Sequence, residues 1–528
     1  MSRIEAYGLK HGIGPRLLFG ADALRIEDGD RIGIVGRNGT GKTTLLRILA
    51  GALEPDAGHV TRSGSVGVIP QFKEDGIGSG GEITSRVIDT VLAQDPDILF
   101  ADEPTMNLDA ERTEDLEERL RRVRGALVVI SHDRVFLDRV CTKIWEIDGG
   151  RVSVYTGDYS AYERQKELEK RRHQERYEAY TEKRSALERA VRLKERKAAG
   201  SLKAPSRIGN SEARLGKDRR GSTQAGIHQA RKALETRLAK LEKVEKPAEL
   251  PEVKLTVPVP PSSKNRVVLE VQDLEASAGG RLLWSNVSLR LRFGEKAALL
   301  GPNGCGKTTL IRRIVGGGAG VRTAPGVKLG YFSQTLDILD LGRTVLENVR
   351  ETSIHDDALA RLVLARLLLR GDDVHKRTGD LSGGERVKTA LAKLVLSDLN
   401  VLILDEPTNY LDTPSLEALE GLLAGYPGTV LFVSHDRRFV ERTAGRILEI
   451  RDGGVSSFAG GYAEYREGRK GGAEAAPAPD DTANELLQVE LRLAEVLGRL
   501  SMPGVEGAKE LDAEFHRLID RRRVLRGT

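Results

Sequence analysis

Short apolar runs bounded by turn residues recur along the chain, and they come in matched pairs. Asp97 to Glu103 and Asn400 to Glu406 each carry four consecutive apolar residues and end on Asp-Glu, the pattern of a strand buried on both faces. Ala126 to Ile130 and Thr429 to Val433 repeat it. Between these pairs the period changes. Tyr177, Tyr180, Leu187 and Val191 are spaced 3, 7 and 4, and Ile227, Ala230, Leu234, Leu238 and Leu241 are spaced 3, 4, 4 and 3, each set marking one helix face. The Gly/Ser/Pro-containing stretch Ala198 to Gly226 separates them, so the pattern predicts an antiparallel helical hairpin with a basic tip near 198–226. A proline-rich extended segment up to Ser263 follows, and residues 471–528 predict a further small helical extension.

The matched pairs belong to one duplicated unit. His132 and His435 are 303 residues apart, as are Asp102 and Asp405, Ser79 and Ser382, and Tyr159 and Tyr462. Lys42 and Lys307 are only 265 apart, and Gln71 and Gln334 only 263. The first copy therefore lacks 40 residues between its glutamine and its SGGE sequence, which locates a missing helical subdomain. The expected division is 1–163 for the first unit, 164–265 for the hairpin, 266–470 for the second unit and 471–528 for the tail.

Charge sharpens this picture. Net charge is only +5, but Arg164 to Lys240 holds 23 Lys/Arg against 10 Asp/Glu. An excess concentrated in one insert points to a polyanion, although a self-solvating charged helix is the plainer reading. Two cysteines exclude a disulfide framework and a cysteine-based zinc site. The longest charge-free run, Gly421 to His435, is too short and too broken to span a bilayer, and the start lacks a signal-peptide apolar region, so a soluble cytoplasmic protein is expected.

GRNGTGKT (Gly36 to Thr43) and GPNGCGKT (Gly301 to Thr308) are P-loops. Successive backbone N–H groups and a helix start wrap a triphosphate, with Lys42 or Lys307 as point charge and Thr43 or Thr308 on Mg2+. Asp102 and Asp405, closing buried strands, suit the same metal. Glu103 and Glu406 beside them suit activation of the attacking water, and His132 and His435 stand where they would meet the γ-phosphate. SGGE at a helix start offers a serine hydroxyl and free amides as a second anion site. One such histidine could be a satisfied surface residue; a full ordered set found twice is not.

P-loop, glutamine, SGGE signature, Asp-Glu strand end, D-loop aspartate (Asp109, Asp412) and switch histidine, in that order, resemble the ATP-binding cassette superfamily. The resemblance implies an α/β fold of two tandem P-loop cassette domains joined by a long α-helical hairpin linker, plus a short helical C-terminal extension. It implies ATP and Mg2+ as cofactors, and two ATP molecules sandwiched so that each site borrows the other cassette's signature. The nucleotide-binding residues so implied are Gly36, Asn38, Gly39, Gly41, Lys42, Thr43, Thr44 and Gln71 with Ser382, Gly383 and Gly384. The second set is Gly301, Asn303, Gly304, Gly306, Lys307, Thr308, Thr309 and Gln334 with Ser79, Gly80 and Gly81.

A basic hairpin between cassettes, with no fused membrane domain, is similar to the ABC-F translation factors. The short first cassette and the segment Lys203 to Leu215 resemble the antibiotic-resistance branch of that family. The resemblance implies a ribosomal partner, through ribosomal and transfer RNA near the peptidyl transferase centre. It also implies no membrane partner and a monomer whose cassettes pair intramolecularly. Release of pleuromutilins, lincosamides or streptogramin A drugs is the implied role, general relief of stalled translation the alternative, and a transporter subunit a third. Lys203, Arg207, Ile208, Arg214 and Leu215 would form the contact tip. Two departures stand out. No aromatic is found near Ile13 or Ala278 to stack on adenine, so base selectivity is expected to be relaxed or Tyr7 to serve. Gly78 replaces the usual leucine before the first SGGE, so unequal hydrolysis at the two sites is expected.

Overall fold

The computed structural model describes residues 2–71, 80–106, 108–200, 210–246, 255, 267–470 and 515–519. It separates into two compact units, Met1–Tyr159 with Pro251–Thr528, and Ser160–Leu250.

The first repeat runs β1 (Ser2–Ile13), β2 (Arg16–Glu27), β3 (Arg31–Gly36), α1 (Lys42–Ala50), β4 (Ala57–Arg62), β5 (Val66–Ile69), α2 (Gly80–Leu92) and β6 (Ile98–Asp102). It continues through α3 (Ala110–Arg122), β7 (Ala126–Ile130), α4 (Arg134–Val140), β8 (Lys143–Asp148) and β9 (Arg151–Thr156). Helices α5 (Tyr159–Gly200) and α6 (Asn210–Ala239) follow. The second repeat runs β10 (Val267–Ala278), β11 (Arg281–Arg292), β12 (Lys296–Leu300), α7 (Lys307–Gly316), β13 (Val321–Thr323), β14 (Leu329–Phe332), α8 (Val345–Arg350) and α9 (Asp357–Arg366). It closes with α10 (Gly383–Leu396), β15 (Val401–Asp405), α11 (Thr413–Ala424), β16 (Thr429–Val433), α12 (Arg437–Thr443), β17 (Arg446–Arg451), β18 (Gly454–Ala459) and α13 (Tyr462–Lys470).

The four apolar runs are the central parallel strands, and every residue of β6, β7, β15 and β16 is buried. In the nine-stranded sheet β3, β7 and β6 are neighbours, with Ile34 opposite Ile130 and Ile130 opposite Asp102. In the six-stranded sheet β12, β16 and β15 repeat this, with Asp405 opposite Val433. The loops that carry P-loop, Asp-Glu and histidine therefore leave the same carboxyl edge of each sheet, where open α/β sheets bind ligands. Phe100, Val128 and Ile130 pack beneath Leu45 and Leu49 of α1, and Ile403, Leu431 and Val433 beneath Leu310 and Ile311 of α7. The second repeat has an additional core in which Val349, Val363 and Leu364 of α8 and α9 meet Leu391 and Val395 of α10. The first repeat has room for no such body, because eight residues separate Gln71 from Gly80.

In the other unit, Arg231 of α6 reaches Glu195 of α5 at 3.7 Å, joining the two helices of the hairpin. The hairpin differs from the expected one in extent. Helix α6 starts at Asn210, whereas the apolar stripe suggested a break as far as Gly226. Gly216, Gly221 and Gly226 stand singly among good helix formers, and an isolated glycine lowers helix stability by about 1 kcal/mol without ending it. Lys203, Arg207 and Ile208 lie outside the described residues, as do the side chains of Arg214 and Leu215 and most of the tail. Among the described residues no helix is long and apolar enough to cross a membrane.

Candidate nucleotide-binding site

Both P-loops open onto one cleft of about 1410 Å³ between the cassettes. Gly41 and Gly306 cap α1 and α7 in the left-handed region, φ 95° and 97°. A Cβ there would come within 2.9 Å of Phe19 and 2.6 Å of Trp284, so glycine is required twice over. Lys42 Nζ donates to the carbonyls of Gly36 at 2.8 Å and Arg37 at 3.2 Å, and Lys307 Nζ to those of Gly301 and Pro302. Gly36 and Gly301 thus shape the loop. Asn38, Gly39, Gly41, Thr43, Thr44 and Gln71 line the cleft, as do Asn303, Gly304, Gly306, Thr308, Thr309 and Gln334.

Ser382, Gly383 and Gly384 line the same cleft from the second repeat, across from Asn38. A Cβ on Gly384 would lie 3.5 Å from Asn38 Nδ2, so the start of α10 sits against the first P-loop. Ser382 is the N-cap of α10 in a capping box: its hydroxyl accepts from the Glu385 N–H at 3.4 Å and its own N–H donates to Glu385 Oε2 at 2.9 Å. The glutamate of the SGGE sequence thus orders the helix start, a role the motif alone did not reveal. Ser79 lies outside the described residues, and Gly80 begins α2.

Glu103 and Glu406 leave their strands with φ 49° and 51°, a strained conformation for glutamate, held at the same point of both repeats. His132 Nε2 is 3.4 Å from Glu103 Oε1, and His435 Nε2 is 3.3 Å from Glu406 Oε1, within ion-pair reach. Glu103 Oε1 is nevertheless buried without a hydrogen-bond partner, so the contact lacks the alignment of one. Burial raises the Glu103 carboxyl to about 8, against the pull of Lys42, and lowers the His132 imidazole to about 3. Burial likewise lowers His435. Both histidines are therefore neutral at pH 7 and can accept or donate through one nitrogen each.

Asp102 and Asp405 are pushed upward, chiefly by burial, with Thr43 and Thr308 respectively opposing. Thr308 Oγ1 donates to Asp405 Oδ1 at 3.2 Å, while Asp405 Oδ2 and Glu406 Oε2 are buried without partners. Buried carboxylate oxygens beside a threonine hydroxyl are the donor set of a hard cation, and the residues present fit Mg2+.

Apolar walls flank both P-loop lysines where an aromatic was missing from the sequence. Ile13 and Leu18 form the wall beside Lys42, and Ala278 and Leu283 that beside Lys307. Tyr7, one of the two alternatives left by the sequence, is not among the residues that line the cleft. Its ring lies against His59, centroids 5.7 Å apart, and its hydroxyl accepts from Arg25 at 3.0 Å.

Sequence reading missed the cross-cassette bonds. Asp412 caps α11 and its Oδ2 also accepts from Asn38 N at 2.9 Å; Asp109 caps α3 and accepts from Asn303 N at 3.2 Å. Asn38 Nδ2 adds a bond to the Tyr410 carbonyl at 2.9 Å. The repeat offset of 303 between Asp109 and Asp412 was the available signal.

Two P-loop units, each with its P-loop backbone held by a helix-capping aspartate of the other, define a tandem ATP-binding cassette protein. Comparison with known proteins agrees: residues 21–76 and 284–409 match the family described as ABC transporter, and 145–215 a second family of that description. The chain belongs to the ABC-F family of ATP-binding cassette proteins. It is 32% identical over 530 residues to ribosome protection protein VmlR of Bacillus subtilis, covering 94% of this chain and 93% of that protein. It is 31% identical to ABC transporter F family member 5 of Arabidopsis thaliana, covering 84% and 74%. In fold it is similar to the solved RNase-L inhibitor, with a TM-score of 0.58 at 19% identity over 88% of this chain and 92% of that one. Cassettes of this family hydrolyse ATP.

Proposed function

We propose that the chain is an ATPase that binds the ribosome in its ATP form, directs its hairpin toward the peptidyl transferase centre and dislodges antibiotics bound there. The observation that carries the ATPase reading is the shared cleft, in which Ser382 to Gly384 of one repeat face Asn38 of the other. A ligand held between them adds contacts to both cassettes and so favours the closed pair.

Thr43, Asp102, Thr308 and Asp405 would hold Mg2+, which neutralises phosphate charge when bound. Lys42, Lys307 and the P-loop amides grip the triphosphate. Glu103 and Glu406 would take the proton of a water whose oxygen bonds to the γ-phosphorus, while the bond from that phosphorus to the bridging oxygen breaks and ADP leaves with it. A carboxyl whose proton affinity lies near the working pH, as at Glu103, is suited to that task. His132 and His435, neutral, contact the γ-phosphate. Loss of that phosphate removes the contact between cassettes and releases the ribosome.

The ribosomal part rests on likeness to VmlR over nearly the whole chain and on the basic insert, which gains affinity for RNA by counterion release. Pleuromutilins, lincosamides and streptogramin A drugs are the proposed targets. Leu202, Ile208 and Leu215 are the large apolar groups of the tip available for direct drug contact.

Glu103→Gln with Glu406→Gln should trap the protein on ribosomes with ATP, because binding survives while water activation is lost. Equal co-sedimentation with and without ATP overturns this reading. Expression in a sensitive host should raise tolerance to one of the three drug classes, and shortening the tip should abolish it. Unchanged tolerance, with ribosome binding intact, favours general relief of stalled translation.

A further inference from the structure

Two buried ion pairs cross between the cassettes, and the repeat offset relates them. Arg134 of α4 pairs with Glu420 of α11, their side chains 0% and 6% exposed. Arg437 of α12 pairs with Glu117 of α3, 3% and 4% exposed. Both arginines and both glutamates are 303 residues apart. Each glutamate also accepts from an arginine of its own cassette, Glu420 from Arg442 at 2.9 Å and Glu117 from Arg139 at 2.6 Å.

Each pair completes a frame around one site. Helix α11 contacts the first cassette at two points: its cap Asp412 holds the Asn38 N–H of the P-loop, and Glu420, eight residues on, holds Arg134. Arg134 follows His132 by two residues, and His132 faces Glu103. Helix α3 does the same at site two, with Asp109 on Asn303 and Glu117 on Arg437, two residues after His435. Eight helical residues span about 12 Å and do not stretch. The separation of P-loop and histidine within one cassette is thus spanned by a rigid helix of the other.

Adhesion alone does not call for this arrangement. Burying a guanidinium–carboxylate pair roughly cancels its own Coulomb gain, and apolar residues hold an interface as well. What a charged pair adds is a fixed distance and direction.

We propose that Arg134 and Arg437 are positioning residues for ATP hydrolysis: through Glu420 and Glu117 they hold each switch histidine in place only when the other cassette's helix is seated. The inference rests on the ATPase reading above.

The test uses the full chain with Glu117→Asp and Glu420→Asp together, which keeps both charges and shortens each reach by one methylene. The kcat for ATP should fall about tenfold with KM within about twofold, since the P-loops still grip nucleotide while the histidines are displaced. The pair Glu117→Gln and Glu420→Gln should fall at least as far. An unchanged kcat in the Asp variant, beside an active unaltered chain, overturns the inference alone. So does a lower kcat and thermal midpoint accompanied by a matching rise in KM, the signature of mere adhesion. An unaltered chain that hydrolyses no ATP overturns the functional reading and the inference with it. Where a paired variant does not fold, single-turnover hydrolysis by Glu420→Asp decides in the same way.

Discussion

The Asn38 backbone N–H donates to the Asp412 carboxylate at 2.9 Å, so the P-loop of one repeat is held by the helix start of the other. Asn303 and Asp109 form the mirror bond. One carboxylate therefore does two things, capping its helix and fixing the opposite P-loop. Asp412→Ala should lower stability by about 1 kcal/mol from the cap alone and also slow hydrolysis. Asp412→Asn retains a capping oxygen and should keep most of the stability. Denaturant titration separates the two variants, and equal losses would count against the capping role.

Asp436 makes a pH-dependent contribution. It caps α12, accepting from Arg438 and Phe439, and burial raises it to about 6 against the attraction of Arg134, with Asp133 and Glu420 adding to the rise. Its protonated form is favoured in the folded chain. That contribution is fully present below the ordinary carboxylate value of 3.8 and is lost as pH rises through about 6. Asp436→Asn keeps the cap and removes the ionisation. The difference in thermal midpoint between variant and parent should move in the variant's favour between pH 4 and pH 7; a pH-independent difference contradicts the assignment.

Glu103 and Glu406 hold strained backbone in the lining of the cleft. Glycine adopts φ near +50° freely, so Glu103→Gly with Glu406→Gly should relieve about 1 kcal/mol at each position while hydrolysis falls by about 10² to 10⁴. A higher thermal midpoint with no turnover is the expected pair of readings. A lower midpoint would show that the strain argument fails here.

Replacing Lys203, Arg207 and Arg214 with alanine should weaken ribosome association and leave nucleotide binding unchanged. Each cation withdrawn from a phosphate lowers the slope of log affinity against log salt by about 1, so the slope should fall by up to about 3. An unaltered slope would place the polyanion contact elsewhere on the insert.

Much of the fold was legible along the chain because its signals are local. A P-loop is eight consecutive residues, a buried strand four or five, and a duplication shows as a constant offset. The truncated subdomain was visible as a change in that offset, from 263 at the glutamines to 303 at the signatures. Helix α6 was only partly legible: its apolar stripe begins at Ile227, but good helix formers without a stripe extend it back to Asn210. What only the tertiary structure decided are the relations across the cleft. Asn38 and Asp412 are 374 residues apart, and Arg134 and Glu420 are 286 apart. The same is true of Tyr7, whose place away from the cleft follows from its register on β1, opposite Ala23. The sequence by itself determined the duplicated motifs, their order and spacing, and the basic insert between them. Which face of each set meets the other depends on two sheets packing as bodies, and no spacing along one strand or helix encodes that.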